Sequence, residues 1–388
     1  MSRLADLIKE LCPDGVEYKP LGEVAELKRG QSITKKSITP GDIPVIAGGR
    51  KPAYFTSSAN HTGMTIVVAG SGAYAGFVSY WDQPIFVSDA FSVKVNEEIL
   101  VPRFTYHWMC GKQKELYSLK SGGGVPHVYP KDVAKFKCPI PPLEVQHEIV
   151  KILDQFTTLE AELEAELEAR RTQYEYYRNQ LLSYDALASR GPVEWVKLGE
   201  VASKIITGVT PKAADPKYYQ DATNPWIRTQ DVNFCRINEA SAFVTDQAVA
   251  ELPLKWVSPH SVVVAISGAS AGRSAILNIR AVTNQHCCNI EINSKLADFR
   301  YVYYCIASCY EQLRNLGRGA RGDLNVSIIK SFEIPLPALD EQRYVADILD
   351  RFDALVNDIS SGLPAEIAAR RAQYEYYRDR LLSFPEKK

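Results

Sequence analysis

Apolar residues recur at steps of three and four along two stretches of the chain, and both stretches end in nearly the same sequence. The first stretch covers 149–167 and ends in RRTQYEYYRNQLLSY at 170–184. The second covers 345–367 and ends in RRAQYEYYRDRLLSF at 370–384. The spacing predicts one long amphipathic helix in each stretch. The repetition, 200 residues apart, indicates an internal duplication.

Both apolar stripes need a surface that covers them. A helix over 144–184 would be about 60 Å long, which is too long to cross one small core. We therefore expect the two helices to pack as an antiparallel pair, with the alternative that each packs on its own domain. Four additional residues fall near SSGLP (360–364) in the second helix. They add about one helical turn, or else Gly362 and Pro364 break the helix.

The duplication extends to the segment that precedes each helix. Three pairs of matching segments show this: GVEYKPLGEV (15–24) with PVEWVKLGEV (192–201), TIVVAGSGAYAG (65–76) with SVVVAISGASAG (261–272), and CPIPPLEVQ (138–146) with EIPLPALDEQ (333–342). The repeated unit is therefore a domain followed by a long helix. The second domain is longer by 19 residues before its glycine-rich segment.

Each domain has the pattern of a mixed α and β structure. Short β-branched and aromatic runs bounded by Gly, Pro and Asn predict strands at 43–47, 65–69, 84–95, 226–229, 261–266, 275–279 and 287–292. Longer apolar patterns predict further helices at 4–11, 102–119 and 297–316.

The expected fold class is α+β. Two mixed α/β domains are separated by two long helices that pack as an antiparallel coiled coil, and the whole has a pseudo-twofold internal repeat. The expected bounds are 1–143 for the first domain, 144–184 for the first helix, 185–339 for the second domain and 340–388 for the second helix and tail.

The charge distribution adds a functional indication. The net charge is −1, but the predicted helices over 144–184 and 340–384 carry −5 and −3, which leaves +7 on the remainder. Positive domains joined by negative helices indicate that the domains meet a polyanion. Solvated surface charge is the alternative.

The composition, 46% hydrophobic and 23% charged, is typical of a folded globular protein. No apolar run reaches membrane-spanning length and the first residues lack the layout of a signal peptide, so we expect a cytoplasmic location. The eight cysteines form no CxxC pair and the six histidines are scattered. This pattern predicts free thiols and no metal site.

Three motifs resemble catalytic or nucleotide-binding sequences without completing them. GSGAYAG (70–76) is followed by a strand pattern instead of a helix, which predicts a hairpin turn and not a dinucleotide site. A PD…ExK match starts at Pro13, where a Pro-Asp-Gly turn explains the aspartate. Asn224-Pro225-Trp226 resembles an amino-methyltransferase motif, but it lacks the second proline and a partner motif for S-adenosylmethionine. No GxxxxGK[ST] loop occurs, so we expect a binding protein that is not an enzyme.

Candidate DNA-binding side chains cluster in loops at matched positions of the two domains. Arginine, asparagine and glutamine pair with base edges, and lysine more often holds phosphate. For each residue taken singly, a solvated surface role is equally compatible. The candidates are Lys28, Arg29, Lys35, Lys36, Arg50, Ser71, Tyr74, Lys120, His127 and Tyr129 in the first domain, and Arg228, Thr229, Gln230, Ser270, Arg273, Arg318, Arg321 and Asn325 in the second.

The PLGEV and KLGEV segments, the helix starts PIPPLEVQHEIVKILD and PLPALDEQRYVADILD, and the RRxQYEYYR endings resemble the specificity subunit of Type I restriction-modification systems. The resemblance covers nearly the whole chain and is strongest in the helices. It implies two target recognition domains that each read one half of a split, asymmetric site on double-stranded DNA. It also implies that the helices set the gap between the half-sites, and domains this divergent should read different half-sites.

The resemblance further implies partners. Methyltransferase (M) subunits would dock on the helices and methylate adenine with S-adenosylmethionine, and restriction/translocase (R) subunits would use ATP and Mg. The chain itself would hold no cofactor. The alternative is a coiled-coil adaptor that does not bind DNA. The candidate partner-binding residues are Arg170, Arg171, Tyr174, Tyr176, Tyr177, Arg370, Arg371, Tyr374, Tyr376 and Tyr377.

Overall fold

The computed structural model describes residues 2–33, 38–317, 322–358 and 361–387. It divides into two compact units: unit 1 is Met1–Ala165 with Ala365–Lys388, and unit 2 is Glu166–Pro364. A single helix, Leu143–Leu181, supplies residues to both units. Each unit mixes helices and sheets around its own core, so the expected α+β fold class is confirmed.

The described part of unit 1 contains a four-stranded, a three-stranded and a two-stranded sheet. Its strands are β1 (Glu17–Pro20), β2 (Ala25–Arg29), β3 (Ile43–Ile46), β4 (Tyr54–Thr56), β5 (Met64–Ala69), β6 (Val78–Asp82), β7 (Phe86–Val87), β8 (Ala90–Val95) and β9 (Lys137–Ile140). The sheet orders are β2-β8-β5-β6, β4-β3-β7 and β1-β9. The helices are α1 (Ser2–Leu11), α2 (Leu21–Val24), α3 (Pro102–Gly111), α4 (Gln113–Ser118), α5 (Pro130–Val133), the first part of α6 (Leu143–Leu181), and α14 (Leu363–Leu381), which unit 1 includes from Ala365.

Unit 2 repeats this plan, within its described residues, with one additional strand in the main sheet. Its helices are α7 (Tyr184–Ala188), α8 (Leu198–Val201), α9 (Asp246–Glu251), α10 (Phe299–Ser308), α11 (Tyr310–Asn315), α12 (Val326–Ser331) and α13 (Leu339–Asn357). Its strands are β10 (Val193–Lys197), β11 (Ala202–Thr207), β12 (Asn224–Ile227), β13 (Cys235–Ile237), β14 (Phe243–Val244), β15 (Ser261–Ala265), β16 (Ser274–Leu277), β17 (Val282–Thr283), β18 (Cys287–Ile292) and β19 (Glu333–Pro337). The sheet orders are β11-β18-β15-β16-β13, β14-β12-β17 and β10-β19.

The main sheet of each unit is buried on both faces. In unit 1 alternate residues of β5 enter different clusters: Ile66 and Val68 join the core that includes Ile149 of α6, and Val67 joins a smaller cluster with Ile46. Strand β15 of unit 2 alternates in the same way. Burial on both faces explains why these strands are nearly continuous apolar runs in the sequence.

A buried glutamine explains the matching segments before α6 and α13. The Gln146 amide nitrogen donates to the carbonyl oxygens of Ile99 and Pro141 at 2.8 and 2.7 Å, and its oxygen accepts from the Val101 amide at 2.8 Å. Gln342 makes the equivalent three bonds in unit 2. Because both glutamines are fully buried, these bonds satisfy backbone groups that water cannot reach. The motif is structural.

The expected antiparallel helix packing is present inside each unit. In unit 1 the rings of Phe156 and Tyr377 stack at 5.3 Å, and Arg371 Nε donates to Glu160 at 2.8 Å. Residue numbers therefore rise along α6 while they fall along α14. In unit 2 the end of α6 packs on α13, where Tyr177 stacks on Phe352 at 5.9 Å. The helices also pack on their own domains, so both expected arrangements contribute.

The second long stretch is two helices and not one. Helix α13 ends at Asn357 and α14 begins at Leu363. The Gly362 amide donates to the Asp358 carbonyl oxygen at 3.0 Å, and a β-carbon on Gly362 would lie 2.5 Å from the Ala354 carbonyl oxygen. Only glycine fits this corner, so the added residues break the helix instead of extending it by one turn.

Some predicted elements are shorter than expected. The helices predicted over 102–119 and 297–316 are each divided in two, at Lys112 and at Cys309. The strand predicted over 226–229 ends at Ile227 and is followed by a 3₁₀ turn, Thr229–Asp231. The Asp231 carboxylate accepts from the Arg228 amide at 2.8 Å. This local bond replaces a strand-to-strand bond and ends the strand.

The last described residues complete unit 1. The Val16 amide donates to the Pro385 carbonyl oxygen, and the Lys387 amide donates to the Val16 carbonyl oxygen, both at 2.9 Å. Tyr18 Oη donates to the Phe384 carbonyl oxygen at 2.9 Å. The segment after α14 is therefore held against the segment between α1 and β1.

Candidate nucleic-acid interface

In each unit, backbone hydrogen bonds hold together the loops that lie where several strands end. We call these loops the loop edge: 30–33, 47–53, 70–77, 88–89 and 120–129 in unit 1, and 208–215, 228–234, 266–273, 284–286, 317 and 322–325 in unit 2. In unit 1 the amides of Gly30, Gln31, Ser88, Gly70 and Val128 donate to the carbonyl oxygens of Ala90, Val87, Ile46, Asp89 and Gly70. In unit 2 the amides of Gly208, Val209, Asn284, Ile266 and Leu324 donate to those of Asn284, Thr283, Ile227, His286 and Ile266. The two edges share one backbone frame.

Two glycines allow the strands of this frame to approach closely. A β-carbon on Gly30 would lie 2.3 Å from the Ser88 carbonyl oxygen. A β-carbon on Gly208 would lie 1.7 Å from the Thr283 carbonyl oxygen. Both contacts are with backbone, which cannot rotate away, so any larger residue must displace the frame.

The two glycine-rich segments are hairpin turns, as predicted. The Gly76 amide donates to the Ala69 carbonyl oxygen, and the Gly272 amide to the Ala265 carbonyl oxygen, both at 2.8 Å. Gly76 and Gly272 have φ values of 89° and 87°, a left-handed conformation that favours glycine. Each turn closes a strand pair and extends into its loop edge.

A cleft of about 630 Å³ opens at the loop edge of unit 1. It is lined in part by Arg29, Asp89, His127 and Tyr129. The Arg29 guanidinium carbon lies 5.5 Å from the centre of the Tyr129 ring, and the His127 ring stacks on Tyr129 at 6.1 Å. Lys131 Nζ lies 5.8 Å from the same ring. Tyr129 thus gathers two cations and an imidazole at the rim of the cleft.

Four further candidates of unit 1 lie on the same edge. The Arg50 guanidinium carbon lies 4.9 Å from the centre of the Tyr74 ring. Lys120 Nζ donates to the Ala73 carbonyl oxygen at 2.7 Å, and Ser71 Oγ donates to the Asp89 carboxylate. Together with Arg29, His127 and Tyr129, these residues form a group that the sequence scatters over 101 positions.

Three candidates of unit 1 fall outside this group. Strand alternation places Lys28 on the face of β2 opposite Arg29. Burial lowers the pKa of His61, and the charge of Lys28 lowers it further, so Lys28 lies close to His61. Lys35 and Lys36 lie outside the residues that the structure describes.

In unit 2, Arg228 follows the end of β12 and stands at the loop edge. Its Nη2 donates to Ser241 Oγ at 3.1 Å, and its guanidinium carbon lies 5.8 Å from the centre of the Trp226 ring. Thr229 and Gln230 form the 3₁₀ turn that follows. These contacts place the Arg228 group beside the turn.

Arg273 and Asn325 have defined partners in unit 2. Arg273 Nη1 donates to Asn233 Oδ1 at 2.9 Å, and the Arg273 amide donates to the Ser270 carbonyl oxygen at 3.0 Å. Asn325 is the N-cap of α12, where its Oδ1 accepts from the Ile328 amide at 2.9 Å. The cap occupies the side-chain oxygen of Asn325 and leaves its amide nitrogen for other contacts. Arg318 and Arg321 lie outside the described residues.

Several polar residues of the loop edges were not among the candidates. Asp89 in unit 1 and Gln285 and His286 in unit 2 are exposed, although the strands around them are buried. Thr210 Oγ1 donates to Gln285 Oε1. A signal was present in the sequence, because each loop interrupts two apolar runs with polar residues at matched positions of the repeat.

The candidates on the helix ends divide by burial. Tyr174 and Tyr374 are each 8% exposed and pack in the core of their own unit. Tyr176 and Tyr376 are 61% and 59% exposed. The exposed pair presents the larger aromatic surface to a partner.

The arginines of the helix ends differ in their ion pairs. Arg170 and Arg370 each pair along their own helix, with Glu166 at 3.4 Å and with Glu366 at 3.3 Å. Arg371 pairs across the helices of unit 1 with Glu160 and Glu164. Within the described ranges, no ion pair involves Arg171. The four arginines therefore face unequal surroundings.

A group of polar side chains joins the domain of unit 1 to its helices. In unit 1, Asp154 Oδ1 accepts from Arg103 Nε at 2.7 Å and lies 2.8 Å from His107 Nε2, and His107 Nδ1 lies 2.8 Å from the hydroxyl of Tyr374. Burial raises the pKa of Asp154, but hydrogen bonds from His107 and Arg103 outweigh it and lower the pKa below its usual range. Burial lowers the pKa of His107, despite the bond to Asp154. His107 is therefore held neutral.

Over 2–33, 38–317, 322–358 and 361–387, no group of three or more His, Cys, Asp or Glu side chains is placed to hold a metal ion. None of the helices in the described part of the chain has the length and apolar character needed to cross a membrane.

Comparisons with known proteins agree with this architecture. Residues 13–169 and 191–369 match the family model of the Type I restriction modification DNA specificity domain. The specificity subunit of the Type I restriction enzyme EcoR124I/EcoR124II from Escherichia coli is 30% identical over 410 residues, covering 99% of this chain and 98% of the relative. A putative Type I restriction enzyme specificity subunit from Haemophilus influenzae is 28% identical, covering 95% of this chain and 96% of the relative.

Solved structures share the fold. The crystal structure of a Type I restriction-modification S subunit from M. genitalium superposes with a TM-score of 0.63 at 16% identity, covering 95% of this chain and 96% of that chain. A chain from a structural study of complex assembly in the Type I restriction-modification system gives a TM-score of 0.56 at 19% identity, covering 95% and 98%. The matched family model and the full-length relative show that the chain belongs to the family of Type I restriction-modification DNA specificity subunits.

Proposed function

We propose that this chain is the non-catalytic subunit that selects the DNA sequence in a Type I restriction-modification complex. Its two domains, 1–143 and 185–339, each read one half of a split, asymmetric site. The helical segments 144–184 and 340–388 set the gap between the halves and dock the methyltransferase subunits. Adenine methylation and ATP-driven cleavage belong to the methyltransferase and restriction subunits.

The observation that carries the proposal is the shared frame of the two loop edges. Four equivalent backbone bonds hold each edge, while the side chains on the edges differ. A duplicated scaffold with different surfaces is what two unlike half-sites require. The alternative, an adaptor that does not bind DNA, gives no reason for arginines, lysines and aromatic rings to gather on one edge.

The proposed DNA contacts are the candidates that lie on these edges. In unit 1 the cations Arg29, Arg50 and Lys120 surround the cleft and its neighbouring turn and meet phosphates or base edges. In unit 2 the corresponding candidates are Arg228, Gln230 and Arg273. Arg321 is proposed to read the same half-site as Arg273, and the remaining candidates, including Lys28, Lys35, Lys36 and Arg318, are proposed as further DNA contacts.

Docking of the methyltransferase subunits is proposed for the helix ends. Tyr176 and Tyr376 present exposed rings with neighbouring charged residues, and interfaces of stable complexes favour such aromatic and arginine residues. Tyr174 and Tyr374 support this surface from inside each unit.

The test is adenine methylation mapping of DNA from cells that co-express this chain with a Type I methyltransferase subunit. We expect a new split motif with two unlike half-sites and a fixed gap. A soluble, active complex that methylates no new motif would contradict the proposal and favour the adaptor.

The same assay tests the spacer role. Four residues inserted between Ala161 and Glu168 add about 5.4 Å of helix, and DNA rises about 3.4 Å per base pair. We expect the gap to grow by roughly one or two base pairs while both half-sites stay unchanged. Four residues inserted at Gly191 serve as the control and should leave the gap unchanged. A β-carbon added at Gly191 would have no atom within 4 Å, so this position has room for an insertion. A changed half-site sequence would exclude the spacer role.

A further inference from the structure

We propose that the short loops before β8 of unit 1 and β18 of unit 2 each read a DNA base directly. These reading loops are residues 88–89 in unit 1 and 284–286 in unit 2. The geometry assigns Asp89 to the exocyclic amino group of an adenine or a cytosine, and Gln285 to an adenine. This inference rests on the proposed function and names residues that decide its specificity.

The backbone of each reading loop is fixed from two sides. In unit 1 the Ser88 amide donates to the Ile46 carbonyl oxygen at 2.8 Å, and the Asp89 carbonyl oxygen accepts from the Gly70 amide at 3.1 Å. In unit 2 Asn284 and His286 make the equivalent bonds at 3.0 and 2.9 Å. A side chain carried on such a fixed backbone is positioned before DNA arrives, which sequence discrimination requires.

The reading loops carry exposed side chains between residues that are buried. Val87 and Ala90, on either side of loop 88–89, are 0% and 5% exposed, whereas Asp89 is exposed. Thr283 and Cys287 are both 0% exposed around loop 284–286, whereas Gln285 is exposed. The loops therefore offer polar groups to a ligand without any need for their strands to open.

The surroundings of Asp89 select a base over a phosphate. Asp89 shares its cleft with Arg29, His127 and Tyr129, and Lys131 lies at the rim. The cations Arg29 and Lys131 can hold the phosphates of the DNA backbone. A carboxylate repels phosphates and can only accept hydrogen bonds. Exposed amino donors in the major groove belong to adenine N6 and cytosine N4. Asp89 therefore fits the base that these cations bring close.

Ser71 orients the carboxylate of Asp89. Its Oγ donates to Oδ2, and no hydrogen bond reaches Oδ1 from the part of the chain that the structure describes. One oxygen is thus held by the protein, and the other is left to accept a hydrogen bond from a base. Ser71 is a positioning residue in this arrangement, and Asp89 makes the contact with the base.

Gln285 is fixed in the same manner by different groups. Thr210 Oγ1 donates to its Oε1, and its Nε2 lies 3.2 Å from His286 Nε2. An amide offers one acceptor and one donor side by side, and this pair matches N6 and N7 of adenine. The Oε1 atom keeps a second lone pair for the base after it accepts from Thr210.

The decisive experiment compares Asp89→Asn with the wild-type chain by methylation mapping in cells that co-express the methyltransferase subunit. Asparagine keeps the shape but replaces an acceptor with a donor. We expect one position of one half-site to change its preference from adenine or cytosine to a keto-bearing base, or to lose its preference. Methylation of sites with another base at that position should rise by about tenfold. The other half-site and the gap should stay the same.

Two controls separate a reading role from a supporting one. Asp82→Asn removes an exposed carboxylate at the opposite end of the same sheet and should leave the motif unchanged. Ser71→Ala keeps the Asp89 carboxylate but removes the bond that orients it, so the preferred base should stay the same and be preferred less strongly. Gln285→Glu should alter only the half-site that Asp89→Asn leaves intact, which also shows that each variant is folded.

The outcomes distinguish the two proposals. A wild-type chain that yields no split motif overturns the proposed function itself. A wild-type motif that Asp89→Asn and Gln285→Glu both leave unchanged overturns the assignment of the reading loops and leaves the proposed function standing.

Discussion

The two loop edges have the same backbone frame and opposite chemistry at matched positions. In unit 1 the rings of His127 and Tyr129 stack beside a cleft. The matched positions in unit 2 hold Asp323 and Asn325. Asp323 accepts from Ser267 Oγ at 2.9 Å, and Asn325 caps a helix. Aromatic rings in one unit thus correspond to carboxylate and amide groups in the other. Duplication preserved the hydrogen bonds of the frame, and divergence acted on the side chains that the frame carries.

A second comparison lies at the junction of each domain with its helices. Asp154 in unit 1 is bonded to Arg103 and His107, whereas Asp350 in unit 2 is bonded to Arg236, Arg300 and Tyr304. The matched positions hold histidine in one unit and tyrosine in the other. The junctions are therefore built alike, but at the matched position unit 1 has a histidine, whose ordinary pKa is near neutral, and unit 2 has a tyrosine.

The largest effect is expected where the shared frame is tightest. Gly208→Ala places a β-carbon 1.7 Å from a backbone oxygen, and Gly30→Ala places one at 2.3 Å. We expect each variant to destabilise its own unit by about 1–3 kcal/mol, with the larger loss in Gly208→Ala. Hydrogen exchange of β18 and β8 in increasing urea measures the loss in each unit separately.

Two glycines with open surroundings provide the control for this prediction. A β-carbon added at Gly191 or Gly123 would have no atom within 4 Å, so alanine at either position should change the stability little. Equal losses at all four positions would mean that the close contacts of the frame do not decide the effect.

An intermediate effect is expected from pH. The folded pKa of His107 is lowered, so the unfolded chain, with an ordinary pKa of about 6.5, binds the proton more readily. The contribution of His107 to stability is complete above about pH 6.5 and is lost as the pH falls toward its lower folded pKa. Its surroundings are Asp154 and Tyr374, with the charges of Arg103 and Arg378 nearby.

Unit 1 should therefore open more readily at about pH 5.5 than at about pH 7.5, relative to unit 2. Burial raises the pKa of Tyr304, so the matched group of unit 2 stays neutral over this range. Hydrogen exchange corrected for intrinsic rates measures the difference between the units. Glutamine at position 107 does not titrate, and a difference that persists in His107→Gln would assign the effect to another group.

The smallest effect is expected on the helix surface. Arg371 pairs with Glu160 and Glu164, but its side chain is 53% exposed. Exposed ion pairs contribute little, so Arg371→Ala should lower the free energy of unfolding of unit 1 by about 0.5 kcal/mol. Arg171→Ala, its repeat equivalent, should have almost no effect on unit 2. A urea titration of both variants tests this, and equal losses would show that the ion pairs do not account for the difference.

Much of the fold could be predicted because the evidence in the sequence is local or repeated. The apolar stripes indicated the long helices, and the strand predicted at 287–292 matches β18 residue for residue. The burial of Tyr174 and Tyr374 could not be predicted, because YEYY offers several rings and only the packing selects one. The His107–Tyr374 contact joins residues 267 positions apart, and no local pattern indicates such a partner.

The candidate site was predictable in composition and not in geometry. Cations and aromatic residues in matched loops indicated the edge, but the stacking of His127 on Tyr129 and the cleft beside them depend on loops that the sheets bring together. Asp89 was missed because it lies inside the single strand predicted over 84–95, which the structure divides into β7 and β8 around loop 88–89. Only the fixed backbone around it distinguishes it from a solvated side chain.

The discontinuity of unit 1 has a consequence for how the chain is made. Unit 2 is one uninterrupted segment, Glu166–Pro364, whereas unit 1 also needs Ala365–Lys388. On the ribosome, the N-terminal domain emerges first but lacks Tyr374 and Leu382 for its core, and Pro385 and Lys387 to pair with Val16. The later-made unit can therefore finish folding while the earlier-made unit waits for residues 365–387 to be made, the reverse of the usual order.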